Sequence, residues 1–267
     1  MSAADKEGMR TRKVARYGWV PDLLDARDYL YSAPEKVLAA LPKSVDLRPQ
    51  CPPVYDQGQL GSCTANAIAA AFEFDQNKEG LVDFMPSRLF VYYNERAIEG
   101  TIDSDGGAMI RDGIKSVHTL GVCDENAWQY DINRFQEKPP ADAYEQALTH
   151  QVILYRRVLN RLHQLQSVLA QGYPFVFGFT VYESFESEDV AKTGVVPLPP
   201  HGEAAIGGHA VLAVGYDDAQ QNFIVRNSWG STWGLKGYCL MPYGYLTDPQ
   251  LAADFWAVYS VEEPSKA

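Results

Sequence analysis

The chain has 267 residues, of which 46% are hydrophobic and 21% charged, the proportions of a water-soluble globular protein large enough for one sizeable core. Thirty-four acidic against 23 basic side chains give a formal charge of −11 at pH 7, which argues against a nucleic-acid partner because phosphate contact needs a basic field. No apolar run approaches the roughly 20 residues of a membrane span, so no membrane partner is expected.

Residues 1–43 read as an N-terminal extension. Arg10, Arg12, Lys13 and Arg16 lack the apolar stretch that would follow them in a secretory signal, which leaves cytoplasmic residence and export by another route both open. After Trp19-Val20-Pro21-Asp22 only a short helical pattern occurs, near Ala33–Leu41. Residues 44–261 read as the folded domain and 262–267 as a tail. Pro52-Pro53 holds the start of that domain extended.

From Cys63 the alanine-rich run T-A-N-A-I-A-A-A-F-E-F-D-Q predicts a helix with Ala67, Ala70, Ala71 and Phe74 on its apolar face. Ser87–Glu99 predicts a second helix with Ser87 as its N-cap, and Ala108–Leu120 a third. After about residue 130 the periodicity changes. His163–Gln171 predicts a helix stopped by Gly172, followed by strands at Phe175–Val181, His209–Tyr216, Asn222–Arg226, Gly237–Met241 and Phe255–Val261. The Pro/Gly-punctuated stretch from Glu183 to Ile206 is long enough to border a site. Helices first and strands second predict an α+β protein of two lobes, about 50–130 mainly helical and about 131–261 mainly β.

Three segments carry chemistry. Cys63 ends Gln57-Gly58-Gln59-Leu60-Gly61-Ser62-Cys63 at a predicted helix N-terminus, whose partial positive charge favours the nucleophilic thiolate. His209 follows Gly207-Gly208, which leave room beside its ring, and precedes the apolar run A-V-L-A-V-G-Y. Asn227 opens N-S-W-G-S-T-W-G, where tryptophans suit an amide hydrogen bond shielded from water. His118, His150, His163 and His201 lie in helical or loop text and are read as solvated. With Cys63 free as a nucleophile, Cys51, Cys123 and Cys239 allow at most one disulfide. No cysteine–histidine cluster has zinc spacing, so neither a metal nor another cofactor is expected.

The order glutamine, cysteine, histidine, asparagine, with His209 146 residues after Cys63 and Asn227 164 after it, resembles the papain family of cysteine proteases over about residues 44–261. The resemblance implies a papain-like fold, a helical lobe against an antiparallel β-barrel-like lobe with the active site in the cleft between them. It implies a cysteine endopeptidase acting on peptide or protein substrates through a thioester. Cys63 would attack, His209 would hold the ion pair and protonate the leaving amine, Asn227 would orient the imidazole, and Trp229 would cover that bond. Gln57 and the Cys63 N–H would receive the oxyanion.

Ser104-Asp105-Gly106-Gly107-Ala108-Met109 resembles the family's substrate-binding strand. It implies a second specificity pocket lined by Ala108, Met109 and Gly208, with an apolar or aromatic preference because none of these is charged. Thr64 stands where the family usually has an aromatic residue, and Leu60 replaces a common cysteine, so the usual first-lobe disulfide is absent. The short extension resembles the leaders of certain bacterial members, and the region Tyr17–Tyr31 is expected to pack on the lobes or cover part of the cleft. A transpeptidase or isopeptidase using the same residues, or a non-catalytic binding protein on this fold, are the alternatives.

Overall fold

The computed structural model describes residues 17–261; the basic cluster Arg10–Arg16 and the tail 262–267 lie outside the described residues. From Tyr17 to Ala33 the chain is extended and irregular, followed by the single turn α1 (Glu35–Leu38) and the short strand β1 (Ser44–Asp46). The helix foreseen near Ala33–Leu41 is thus reduced to four residues after Pro34. Arg226 reaches back to the extended Pro52-Pro53 pair, donating to the Pro53 carbonyl at 2.6 Å.

The helical lobe is built on α2 (Cys63–Glu79), α3 (Arg88–Glu99) and α4 (Ile110–Leu120). Instead of presenting one apolar face, α2 is buried on all sides from Cys63 to Gln76. Its alanines let the sheet and both neighbouring helices approach closely, which makes it the central strut of the molecule. Ser87 caps α3, its Oγ accepting the Phe90 N–H at 3.2 Å, and Gly100 ends that helix in the left-handed conformation. The third helix starts at Ile110, because Gly107 (φ +79°) and extended Met109 form a strand-like approach to it.

The second lobe opens with α5 (Ala141–Ala147), β2 (Val152–Val158) and α6 (Leu162–Ala170). Next come β3 (Phe175–Tyr182), α7 (Glu188–Thr193), β4 (Ala205–Asp217), β5 (Asn222–Arg226), β6 (Tyr238–Pro242), α8 (Tyr243–Thr247) and β7 (Ala252–Val261). The stretch foreseen as one loop, 183–206, therefore contains α7 and the start of β4. All strand pairs are antiparallel, in the order β2-β7-β3-β4-β5-β6, with β1 extending along β4 beyond the start of β3. The sheet stays open, and the architecture is the two-lobed α+β arrangement expected. Phe175, Phe177, Phe179 and Phe255 fill the space behind the sheet, Phe177 and Phe255 stacking at 5.5 Å.

All four cysteines are free thiols, so no disulfide ties either lobe to itself or to the other. The N-terminal residues contribute to the contacts that do. Leu30 forms a parallel bridge to Arg157 of β2, and the Tyr31 and Ala33 side chains are buried.

Candidate active site

Cys63 is the first residue of α2, where the unpaired N–H groups of the first turn converge, and it is fully buried. Its approach is a tight turn: Asp105, beside the glycine pair, accepts the Gly61 N–H at 3.0 Å and the Tyr92 hydroxyl. The loop expected to hold substrate is thereby tied to the turn that presents the thiol. Behind the thiol Thr64 donates to the buried Glu95 at 2.6 Å, replacing aromatic packing with a hydroxyl–carboxyl contact. Burial raises the Glu95 carboxyl well above its ordinary range.

On the opposite wall His209 sits within β4, not at its start, in register with Phe179 of β3. The ring is fully buried between aromatic neighbours, with Trp229 stacked on it at 5.1 Å and Phe179 edge-on at 5.7 Å. His209 Nε2 and Asn227 Oδ1 lie 2.8 Å apart, which assigns the ring proton to Nε2 and leaves Nδ1 without a hydrogen bond among the described residues. The following residue, Ala210, donates its N–H to the Cys63 sulfur at 3.3 Å, so the strand bearing the imidazole touches the nucleophile directly.

Gln57 is buried in the same wall and held at three points. Its backbone N–H donates to the Ser228 carbonyl at 2.9 Å, its Oε1 accepts the Ser228 hydroxyl at 2.6 Å, and its Nε2 donates to the Leu60 carbonyl at 3.0 Å. One amide hydrogen is thereby occupied and the second stays free to donate. The four residues expected to carry catalysis are brought together from both lobes.

The cleft between these walls is filled by Tyr17-Gly18-Trp19-Val20. Trp19 N–H donates to the Gly208 carbonyl at 2.9 Å, Val20 N–H to the Ala108 carbonyl at 3.0 Å, and Ala108 N–H to the Gly18 carbonyl at 2.8 Å. The pairing with Ala108 is parallel. A Cβ on Gly208 would lie 2.7 Å from the Trp19 ring, and one on Gly178 2.0 Å from it, so the indole lies flat against both glycines. Tyr17 closes over His209, edge-on at 6.0 Å, with its hydroxyl on the Glu186 carboxylate. Gly107, Ala108 and Gly208 all meet this segment; Met109 is half-buried beside it and Gly106 is exposed.

The pocket holding Trp19 has a charged floor that sequence reasoning missed. Asp254 of β7 accepts the indole N–H at 3.2 Å and the Asp22 N–H at 2.7 Å, and pairs with Arg157 at 3.0 Å. In the run D-F-W nothing marks that carboxylate as facing the cleft. Among the described residues Asp254 is one of three non-glycine residues at positive φ (56°), at a kink where β7 shifts register against β3 and turns the side chain inward. Two of the histidines read as solvated also make contacts. His118 bonds the Val152 carbonyl through Nδ1 at 2.6 Å, and His150 packs on Phe84 at 4.5 Å.

Burial under Tyr17–Val20 sets the electrostatics. Desolvation pushes the Cys63 thiol up to about 12, against the opposing N–H bonds from Ala210 and Gly18, and lowers His209 to about 4 despite its bond to Asn227. With the cleft filled, thiol and imidazole are both neutral at pH 7.

Comparisons with known proteins agree with this geometry. Residues 41–254 match the model of the papain family cysteine proteases. A peptidase C1-like protein of Acanthamoeba polyphaga mimivirus is 45% identical over 96% of this chain and 91% of its own length. Bovine pro-cathepsin H is 27% identical over 82% of this chain and 68% of its own length. Among solved structures, xylellain, a cysteine protease from Xylella fastidiosa, superposes with a TM-score of 0.88 at 46% identity, covering 95% of this chain and 99% of that one. With a buried cysteine at a helix N-terminus, a histidine–asparagine pair on the facing strand and a family match across most of its length, this chain belongs to the papain family of cysteine proteases.

Proposed function

We propose that this protein is a cysteine endopeptidase whose own N-terminal residues hold it latent. With the cleft open, water and a facing imidazole let the Cys63 proton pass to His209 Nδ1, giving the thiolate–imidazolium pair. The sulfur attacks the substrate carbonyl, and the oxyanion is met by the Cys63 N–H and the free amide hydrogen of Gln57. His209 protonates the leaving amine, the thioester forms, and water resolves it. Asn227 keeps the imidazole in orientation, and Trp229 shields that bond from competing water.

Gly106 and Gly107 pair with substrate backbone. Ala108, Met109 and Gly208, joined by Gly178, form a flat pocket for an apolar or aromatic side chain, with Asp254 beneath it to accept a hydrogen bond. The indole of Trp19 resting there supports this reading.

The observation that carries latency is the placement of Tyr17–Val20. Gly18 O is taken by the Ala108 N–H, while the Gly18 N–H donates to the Cys63 sulfur. The segment thus spends a backbone donor on the sulfur and occupies the place a substrate would take. The test is a full-length Trp19→Ala variant exposed to an epoxysuccinyl peptide, with the adduct mapped by mass spectrometry and peptide hydrolysis followed in parallel. Labelling at Cys63 with hydrolysis well above wild type is expected. A variant neither labelled nor active would overturn the reading.

A further inference from the structure

The extension does not dock as one piece. Tyr17–Asp22 sits in the cleft as described. From Asp28 onward the chain is built into the body. Asp28 Oδ2 accepts Arg111 of α4 at 2.7 Å and Arg157 of β2 at 2.9 Å, so one carboxylate joins the two lobes. Tyr31 N–H donates to the Arg157 carbonyl at 2.7 Å and Arg157 N–H to the Tyr29 carbonyl at 2.9 Å. The Tyr31 hydroxyl meets Ser167 of α6 at 2.7 Å, and Ala33 N–H donates to Gln164 at 3.0 Å.

Between these parts lies a loop tied at its flanks, the Leu23 carbonyl accepting Arg111 and Asp25 pairing with Arg27 and Lys115, whose two leucine side chains stand in solvent. Leu23 is 72% and Leu24 97% exposed, and Leu24 makes no hydrogen bond among the described residues. Two bare leucines on a segment with no regular structure are what a peptidase with an apolar pocket can draw into its cleft at least cost. The junction with the folded domain is less accessible to that fate. Its Pro42 carbonyl accepts the Tyr216 hydroxyl at 2.6 Å, and its Lys43 carbonyl accepts the Asp218 N–H at 2.9 Å.

We propose that the Leu24–Asp25 bond is the activating cleavage site, cut by a second copy of the chain, and that residues from Asp28 onward remain as a permanent clamp between the lobes. This rests on the peptidase reading above. Leu23 enters the pocket that Trp19 fills in the latent state. Cys63 of the attacking copy forms a thioester with the Leu24 carbonyl as the C–N bond breaks, and His209 passes its proton to the Asp25 amine. One water then hydrolyses the thioester, releasing the Leu24 carboxylate and restoring the thiol. The attacking copy is one whose Tyr17–Val20 has left its cleft; the cut copy stays docked, with Trp19 and Asp22 holding its chain while Leu23 and Leu24 stay exposed. Once severed, residues 1–24 lose the tether that keeps them at high local concentration and leave the cleft on dilution.

The experiment uses full-length chains throughout. A Cys63→Ala chain serves as substrate and the unblocked Trp19→Ala chain as enzyme, with new N-termini read by mass spectrometry. A single early product beginning at Asp25 is expected, and Leu23→Asp in the substrate chain should slow its appearance at least tenfold. A first cut between Ala39 and Ser44, or a substrate chain left intact by an enzyme that hydrolyses peptides, would overturn the proposal and leave the peptidase reading standing. An enzyme that neither hydrolyses peptides nor takes the epoxysuccinyl label at Cys63 would remove both.

Discussion

At Gly18 the missing side chain decides whether the cleft is filled. A Cβ there would lie 1.7 Å from the Gly61 carbonyl oxygen, a backbone atom in the turn that presents Cys63 and therefore unable to move aside. Gly18→Ala should expel Tyr17–Val20 without touching any residue of the catalytic set. Alkylation of Cys63 by iodoacetamide at pH 7 should then accelerate by about tenfold or more, since the displaced equilibrium exposes a solvated thiol. An unchanged rate would mean that Gly18 does not gate the sulfur. Cys63, His209 and Asn227 were picked out together by their type, order and spacing, since each taken alone reads as an ordinary core or turn residue. Asp254 was not, since its direction depends on a kink in β7 that no local pattern announces.

The elements differ in how they are held, and Asp28 carries the tie between lobes. It is 6% exposed and its partner Arg111 5%, so removing the carboxylate strands a buried guanidinium. Breaking such a pair costs about 3–5 kcal/mol. Asp28→Ala should therefore lower Tm by on the order of 10 °C in a scanning calorimeter. Asp25→Ala, whose partner Arg27 is exposed, should leave Tm nearly unchanged. Equal shifts would dismiss the clamp. Capped helices such as α3 could be read from sequence to within a residue. β2 could not, because V-I-L-Y-R-R-V lacks alternation and its partner β7 lies about a hundred residues away. The all-round burial of α2 was hidden for a related reason: alanine looks indifferent until the neighbours that need its small size are known.

For the whole molecule, docking of Tyr17–Asp22 is coupled to protons at two places, Asp22 and His209. Asp22 docks against Asp254, Arg111 and the Trp256 indole, while Asp254 also faces Arg157 and Trp19. Burial first and the Asp254 charge second raise the Asp22 carboxyl to about 6. The docked state thus keeps a proton that a free carboxyl releases near 4. The Asp22 contribution to docking is therefore full below that range and is lost as pH rises through about 6. His209, lowered to about 4 in the filled cleft, acts in the opposite sense, because docking sheds a proton that an open imidazole keeps below about 6.5. The ratio of wild-type to Asp22→Asn peptidase rates should accordingly rise on the order of tenfold from pH 5 to pH 7, since the neutral amide removes this titration and keeps that of His209, and a carboxyl that docks protonated at the lower pH must ionise in place or undock at the higher one. A ratio flat across that interval would reject the coupling. The two-lobed fold was foreseeable from helices preceding strands. That Tyr17–Val20 would pair in parallel with the Ala108 segment was not, because the direction of a short segment is set by partners such as Ala108 and Gly208 far along the chain.

The parallel bridge at Leu30 has one more effect. β2 ends the sheet, and Ile153 and Leu154 lie open on it at 49% and 38%. Residues 29–31 cover part of its outward row of amides. A chain stripped back to Ser44 would bare that row beside greasy side chains and turn the sheet's margin into a template for self-association. Whatever cut spares this bridge leaves that margin covered.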